Sequence, residues 1–321
     1  MNDAIQLSIV VPCYNEEAVI QECARELRNC VAQLMQAGSI TKQSRVIFVN
    51  DGSSDRTWKL LEELCEKDRL FSAIALSRNF GHQSALLAGL HAASGDAVVS
   101  VDADLQDDIG IIEEMVERFR GGYDIVYGVR KERKVDSVYK RFTALIFYRL
   151  MNLLGAPTVY NHADFRLMSR RALDALRDFR EVNLFLRGIV PLIGFPSTTV
   201  LYDRRERVAG ETKYPFRRML KLSISAITSF SNVPLRMITL AALSGFVIQA
   251  AVAVWVFWVR FFTDRAVPGW TSILLPMLFI GCLNLLAIGI LGEYVARVFD
   301  EVKARPRYLV AETRNLFTSD E

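Results

Sequence analysis

Histidine is nearly absent from this 321-residue chain, with only three. Cysteine is scarce as well: Cys13, Cys23, Cys30, Cys65 and Cys282 are the only five, and no two form a C-x-x-C pair. An odd count without paired spacing argues against a disulfide framework, and the shortage of histidine argues against a zinc knuckle, so a reducing compartment fits. No Gly-rich dinucleotide fingerprint and no P-loop occur, so the usual dehydrogenase and NTPase readings lack their phosphate cradle. Glycine at 18 and proline at 9 are ordinary, which excludes collagen-like and low-complexity chains. An excess of one charge is missing too. The 39 basic and 36 acidic residues leave +3, too balanced to argue for nucleic-acid binding. The opening MNDAIQLSIVVP has no basic n-region and only a short apolar run, so no signal peptide is expected there.

Apolar residues, by contrast, are plentiful at 51%. A chain this apolar can bury enough surface to offset its ordering entropy, and its length suggests roughly two domains. The excess lies near the C-terminus. Residues 237–259 carry no charge over 23 positions, and an uncharged run extends from Ala266 to Gly292. A helix of the first length covers about 34 Å, enough for a hydrocarbon core of about 30 Å. Trp255, Trp258 and Trp270 sit towards the ends that meet at the intervening loop, as interfacial aromatics do. Two membrane spans, about 237–259 and 271–292, are therefore expected within a hairpin over 233–299. Arg217, Arg218, Lys221 and Arg236 precede it, Arg297, Lys303, Arg305 and Arg307 lie at or beyond its end, and the connection holds only Arg260 and Arg265. That asymmetry places both termini in the cytoplasm, with 1–232 a cytoplasmic domain and 300–321 a cytoplasmic basic tail.

The first 130 residues alternate. Short β-branched runs at 7–11, 46–49, 73–76, 97–101 and 125–129 are separated by helical stretches at about 16–36, 55–67, 82–94 and 109–120. This order predicts an α/β fold with a mostly parallel sheet covered on both faces. Ligands bind such sheets beyond the carboxyl ends of the strands, and polar residues cluster there. Pro12-Cys13-Tyr14-Asn15-Glu16-Glu17 follows the first strand, Asn50-Asp51-Gly52-Ser53-Ser54-Asp55 the second, Asp102-Ala103-Asp104-Leu105-Gln106 the fourth, and Arg130 with Lys131, Arg133 and Lys134 the fifth. Each has a local alternative: Asp51-Gly52 is a turn signal, and Ser54 or Asp55 a good helix N-cap. Acids at three strand ends with bases at another point instead to one site. Two carboxylates one residue apart can share a hard divalent cation, which prefers oxygen ligands and neutralises a leaving diphosphate.

These residues resemble family-two glycosyltransferases of the GT-A fold. The likeness is nearest to the polyprenyl-phosphate glycosyltransferases, especially the bactoprenol (undecaprenyl phosphate) glucosyltransferases. VVPCYNEE, FVNDGSSD, LSRNFGHQSALLAG, DADLQDD, DFRLMSR, NLFLRGI, RVAGETKY, ITSFSNVPLR and LGEYVARVFDEVKARPRY carry it over nearly the whole chain. The resemblance implies that Pro12, Tyr14, Glu16, Val49, Asp51, Asp102 and Ala103 bind the nucleotide. Asp104 and Gln106, with Asp102, would hold Mg²⁺ or Mn²⁺. Arg130, Arg207 and Lys213 would meet phosphates, and Asp164 would face sugar and acceptor. It also implies a homo-oligomer, for instance a tetramer, in a bacterial inner membrane. Where the family often has prolines after D-x-D-L-Q, this chain has Asp108-Ile109, which leaves the start of the next helix open. A local alternative makes Asp164 the N-cap of a helix over 165–171.

The reaction so implied is inverting transfer of a hexose, UDP-glucose being the favoured donor, to a polyprenyl phosphate for surface glycans such as O-antigen. Mannose or aminoarabinose donors, as in dolichyl-phosphate mannose synthases and aminoarabinose-lipid transferases, are the alternatives. Basic amphipathic stretches at 137–154 and 215–231 would lie in the headgroup plane. A processive polysaccharide synthase would need a Q-x-x-R-W motif, and no Arg-Trp pair occurs. A membrane-anchored regulatory subunit would have no use for an intact set of acids and bases.

Overall fold

The computed structural model describes residues 4–131, 162–179, 181, 186–203 and 271–316, with isolated positions between 243 and 258. The chain divides into two compact units. One comprises Met1–Ala144, Thr158–Tyr214 and Pro306–Glu321; the other comprises Leu145–Pro157 and Pro215–Arg305.

The first unit is built on one sheet. Its strands are β1 (Leu7–Cys13), β2 (Arg45–Asn50), β3 (Phe71–Leu76), β4 (Ala97–Ser100), β5 (Ile125–Arg130), β6 (His162–Ser169), β7 (Ser197–Tyr202) and β8 (Val310–Arg314). They lie in the order β7-β5-β6-β4-β1-β2-β3-β8. β1 pairs in parallel with β2 and β4, β2 with β3, and β5 with β7; β6 is antiparallel to β4 and β5, and β8 to β3. Six strands thus point one way, and only β6 and β8 oppose them. β1 is buried at every position, as expected of a strand covered on both faces.

Helices α1 (Ile20–Gln36), α2 (Thr57–Lys67), α3 (His82–Ala92) and α4 (Ile112–Arg120) fall where the alternation predicts them. In α1 the buried set Ile20, Cys23, Ala24, Leu27, Cys30, Val31 and Leu34 recurs every three or four residues, so one stripe faces the sheet. Cys13, Cys23, Cys30 and Cys65 are free, buried thiols that serve as small packing groups. α3 lies close over β1: a Cβ on Gly89 would stand 2.3 Å from Val10 Cγ1 and 2.9 Å from Val49 Cγ2. Asp108 opens the turn before α4 by accepting the Gly110 N–H at 3.2 Å, which supplies the helix start that the missing prolines left open. Asp164 lies in β6, not at a helix start, and Ser169 caps the following α5 (Arg170–Arg177). A short α6 (Leu186–Leu192) precedes β7.

Two sequence expectations need correction. Residues 300–321 are not simply a tail, because β8 completes the sheet edge at β3. Asn315 Nδ2 also donates to Cys65 O at 2.6 Å, and Ser72 Oγ to Asn315 O at 2.8 Å. In addition, the pair of membrane helices is not seen. Among the described residues no helix is long and apolar enough to cross a membrane. The backbone of α7 (Thr271–Val302) does run unbroken through 271–292, but it continues past Glu293, Arg297 and Asp300, and only part of its side chains is described. The other expected span, 237–259, lies almost wholly outside the described residues, as do 137–154 and 215–231.

Candidate active site

The sheet order reverses at β1, with β2 on one side and β4 on the other. In open α/β sheets the crevice at such a reversal, beyond the carboxyl ends, is where ligands bind. The two turns bordering it on the β1–β2 side interlock. Asn15 N–H donates to Ser53 Oγ at 2.9 Å, Ser54 N–H to Asn15 Oδ1 at 2.9 Å, Glu16 N–H to Thr57 Oγ1 at 2.9 Å, and Arg56 N–H to Glu17 Oε2 at 3.0 Å. Asp55 Oδ1 accepts Thr57 N–H at 3.0 Å just ahead of α2, whose N-cap position is Arg56. Tyr14 stands out at 46% exposure, available to a flat ring, whereas Pro12, Val49 and Ala103 are buried, so the Val49 side chain serves the core.

Asp51 is also buried. Its two oxygens accept Phe80 N–H at 2.7 Å and Gly81 N–H at 2.9 Å, which ties the β2 exit to the β3 exit. Burial pushes its carboxyl up, and those two amides partly restrain it. Gly52 lies between the same loops with φ at +64°, and a Cβ there would meet the Arg78 backbone at 2.4 Å, so only glycine fits.

The D-x-D turn leaves β4 beside β1. Leu105 within it has φ at +52°, unusual for a non-glycine and a sign of backbone strain in this turn. Asp104 Oδ1 accepts Gln106 N–H at 3.3 Å, and the Gln106 side chain is buried. Burial raises the Asp102 carboxyl to about 6, with the charges of Asp164, Asp107 and Asp104 adding to the rise and His82 opposing it. Such a concentration of carboxylates would be relieved by a divalent cation, and hard oxygen donors suit Mg²⁺ or Mn²⁺. Among the described residues no group of three His, Cys, Asp or Glu side chains is gathered for a metal. That is compatible with a Mg²⁺-type site, which takes one or two carboxylates and completes its shell with substrate phosphates and water.

Asp164 sits at the start of β6, on the same edge. Arg187 grips it as a fork, Nε to Oδ1 at 3.1 Å and Nη2 to Oδ2 at 3.0 Å, while Arg166 Nη2 donates to Oδ1 at 3.0 Å. Gln83 Nε2 reaches Oδ2 at 3.3 Å, and His82 Nε2 lies 3.4 Å from the same oxygen and 3.6 Å from Asp102 Oδ1. Burial opposes the Asp164 charge, yet the His82 hydrogen bond and the two guanidiniums hold this carboxyl far below the usual range. Burial likewise lowers His82, but the two aspartates outweigh it and raise the imidazole above its ordinary value. Nearby, Arg130 Nε donates to Tyr202 Oη at 3.0 Å and Nη2 to Asp107 Oδ1 at 3.2 Å, and Tyr202 also donates to Asp107.

Residues 8–177 match the family described as glycosyl transferase family 2. The chain belongs to that family. It is 48% identical to "Uncharacterized glycosyltransferase YkoT" of Bacillus subtilis over 95% of this chain and 90% of that one. It is 37% identical to "SfII prophage-derived bactoprenol glucosyl transferase" of Shigella flexneri over 96% and 98%, and 36% identical to "Prophage bactoprenol glucosyl transferase homolog" of Escherichia coli over 97% and 100%. Mannosyltransferase PcManGT from Pyrobaculum calidifontis, solved with GDP-Man and Mn²⁺, is 15% identical with a TM-score of 0.49 over 94% and 86%, too loose a likeness to argue from.

Of the glycosyltransferase's expected residues, Asp102, Asp164 and, through the Asp107 link, Arg130 gather at one edge. Arg207 and Lys213 lie outside the described residues. His82, Gln83, Arg187, Asp107 and Tyr202 were not expected. The sequence did hold a signal for the first two: Ser77–Gln83 is the exit of β3, and the rule of reading each strand's end applies there as well as elsewhere.

Proposed function

We propose that this glycosyltransferase moves a hexose, with UDP-glucose the favoured donor, from a nucleotide diphosphosugar to a polyprenyl phosphate at the cytoplasmic face of a bacterial membrane. The observation that carries the reading is the D-x-D turn at the sheet reversal, in a chain whose whole length parallels proteins named bactoprenol glucosyl transferase. Tyr14 and the interlocked β1 and β2 turns would receive the nucleotide. Asp102 and Asp104, with Gln106, would hold a divalent cation, which when bound supplies positive charge for the leaving diphosphate.

The state of Asp164 supports an acceptor that is already ionised. A carboxyl held this far towards its anion makes a weak proton acceptor. A phosphate monoester carries close to two charges at pH 7. One of its oxygens bonds to the anomeric carbon as the bond from that carbon to the diphosphate breaks. The products are a glycosyl phosphodiester and a nucleoside diphosphate, with no proton to transfer, and a single displacement inverts the anomeric centre. Arg130, Arg207 and Lys213 would meet phosphates, since arginine forks match phosphate oxygens.

The test is incubation of membranes containing the protein with radiolabelled UDP-glucose and undecaprenyl phosphate. Organic-extractable label that disappears with EDTA is expected. Label only from GDP-mannose would replace the donor, and no lipid-linked label from any nucleotide sugar would refute the reading.

A further inference from the structure

We propose that Arg187 binds the phosphate of the acceptor and that Asp164 is its positioning residue. The inference rests on transfer to a lipid phosphate as argued above, and it assigns that acceptor a contact which sequence reading did not single out.

Exposure is the first argument. In the Asp164–Arg187 pair the arginine side chain is 43% exposed and the aspartate 5%. The pair therefore offers its cation to the crevice and hides its anion, the reverse of what an acid facing a substrate requires. Charge is the second. One carboxylate is shared by two guanidiniums, and Arg166 behind it is only 1% exposed. His82 adds a third basic group 3.4 Å from the same carboxylate. Asp102, 3.6 Å from His82, is the other carboxylate of this group, and of the two guanidiniums on Asp164 it is the exposed Arg187 that faces an incoming anion.

Geometry is the third argument. Nε and Nη2 of Arg187 are both committed to Asp164, which fixes the guanidinium plane, and Nη1 takes no partner among the described residues. A planar cation held by a two-point contact loses little freedom when a phosphate oxygen arrives. Arg130 also stands near enough that its charge acts on Arg187. It is held from a different strand by Tyr202 and Asp107. Each guanidinium is held by its own carboxylate, Arg130 by Asp107 and Arg187 by Asp164, so both are fixed in place before a phosphate arrives.

Position in the sheet is the last. β6 and β5 lie on the β4 side of the reversal, and Arg187 of α6 is bound to Asp164 of β6, across the sheet reversal from β2.

The test uses the full-length protein in membranes, with initial rates measured against varied undecaprenyl phosphate and varied nucleotide sugar. Arg187→Gln should raise the KM for the lipid phosphate by about tenfold or more, the scale of a lost charge-assisted contact, and leave the KM for the donor within about twofold. Arg187→Lys should recover part of the loss, because the charge stays and the fork goes. Asp164→Asn, whose amide offers one oxygen, should raise the same lipid KM. The double variant Asp164→Asn/Arg187→Gln should be no worse than Arg187→Gln alone, since a residue acting only through its partner adds nothing once the partner is gone. An unchanged lipid KM in Arg187→Gln, a donor KM that rises instead, or a further loss in the double variant each overturns the assignment. Failure of the wild-type protein to label any lipid in the same assay refutes the acceptor reading itself, a distinct result.

Discussion

Replacing Asp102 by asparagine should stabilise the metal-free protein while abolishing transfer. The Asp102 carboxyl is raised from 3.8 to about 6, burial being the largest cause and the neighbouring aspartates the next contributors against His82. Folding therefore favours its protonated form. The stability this group lends is complete below the unfolded value and is lost as pH rises through about 6. The full shift would correspond to about 3 kcal/mol at pH 8. A third of the side chain faces solvent, 33%, so screening reduces this to about 1–2 kcal/mol. The contact to His82 at 3.6 Å is already contained in this value. Asparagine keeps the shape without the charge, so Asp102→Asn should unfold roughly 2–4 °C above wild type at pH 8. The gap should narrow to about half at pH 5, where the folded carboxyl is largely protonated but the unfolded one is already ionised, and close only below the unfolded value of 3.8. Thermal unfolding followed by intrinsic fluorescence at the two pH values measures it. Nucleotide diphosphosugar with a divalent cation should then raise the wild-type Tm and leave that of the variant unmoved. A variant less stable than wild type at pH 8, or a gap of equal size at pH 5, would refute the account of a strained carboxylate cluster.

Gly89→Ala gains about 1 kcal/mol of helix propensity, but it places a methyl 2.3 Å from Val10 Cγ1 and should lose more to overpacking, about 1–3 kcal/mol. Denaturant unfolding should show net destabilisation, and in a Val10→Ala background the same change should cost less, with Val49 Cγ2 at 2.9 Å still crowding the methyl. Removing residues 306–321 unpairs the β3 edge and deletes the three hydrogen bonds of Ser72 and Asn315, so stability should drop by at least about 3 kcal/mol and light scattering should report association through the bared edge. Tyr202→Phe takes the hydroxyl away from the buried Asp107 and from Arg130. A loss of about 1–3 kcal/mol is expected, with a fall in turnover of about tenfold, read by unfolding and by the lipid-label assay.

The alternation of β-branched runs with amphipathic helices was readable because burial on both sheet faces demands continuous apolar strands. β1 to β5 and α1 to α4 all appear within a few residues of their expected places. β6 resisted this reading. Its HADFRLMS carries Asp164 and the fully buried Arg166, and a strand with a paired charge inside shows no alternation. β8 was hidden for the opposite reason: VAETR is polar and mostly exposed, and only an unpaired edge at β3 makes it a strand.

What the sequence determined by itself was the local chemistry: which residue types follow each strand, and therefore an acidic D-x-D exit and a basic one after β5. What only the tertiary structure decided was which of those groups meet. Asp164 is 62 positions from Asp102, 82 from His82 and 23 from Arg187. Strand order and the antiparallel insertion of β6 between β4 and β5 bring them to one edge. Ionisation followed from that placement, because a carboxyl's proton affinity depends on the charges within a few ångströms of it. The same residue type is pushed up at Asp102, among other aspartates, and held down at Asp164, between two arginines.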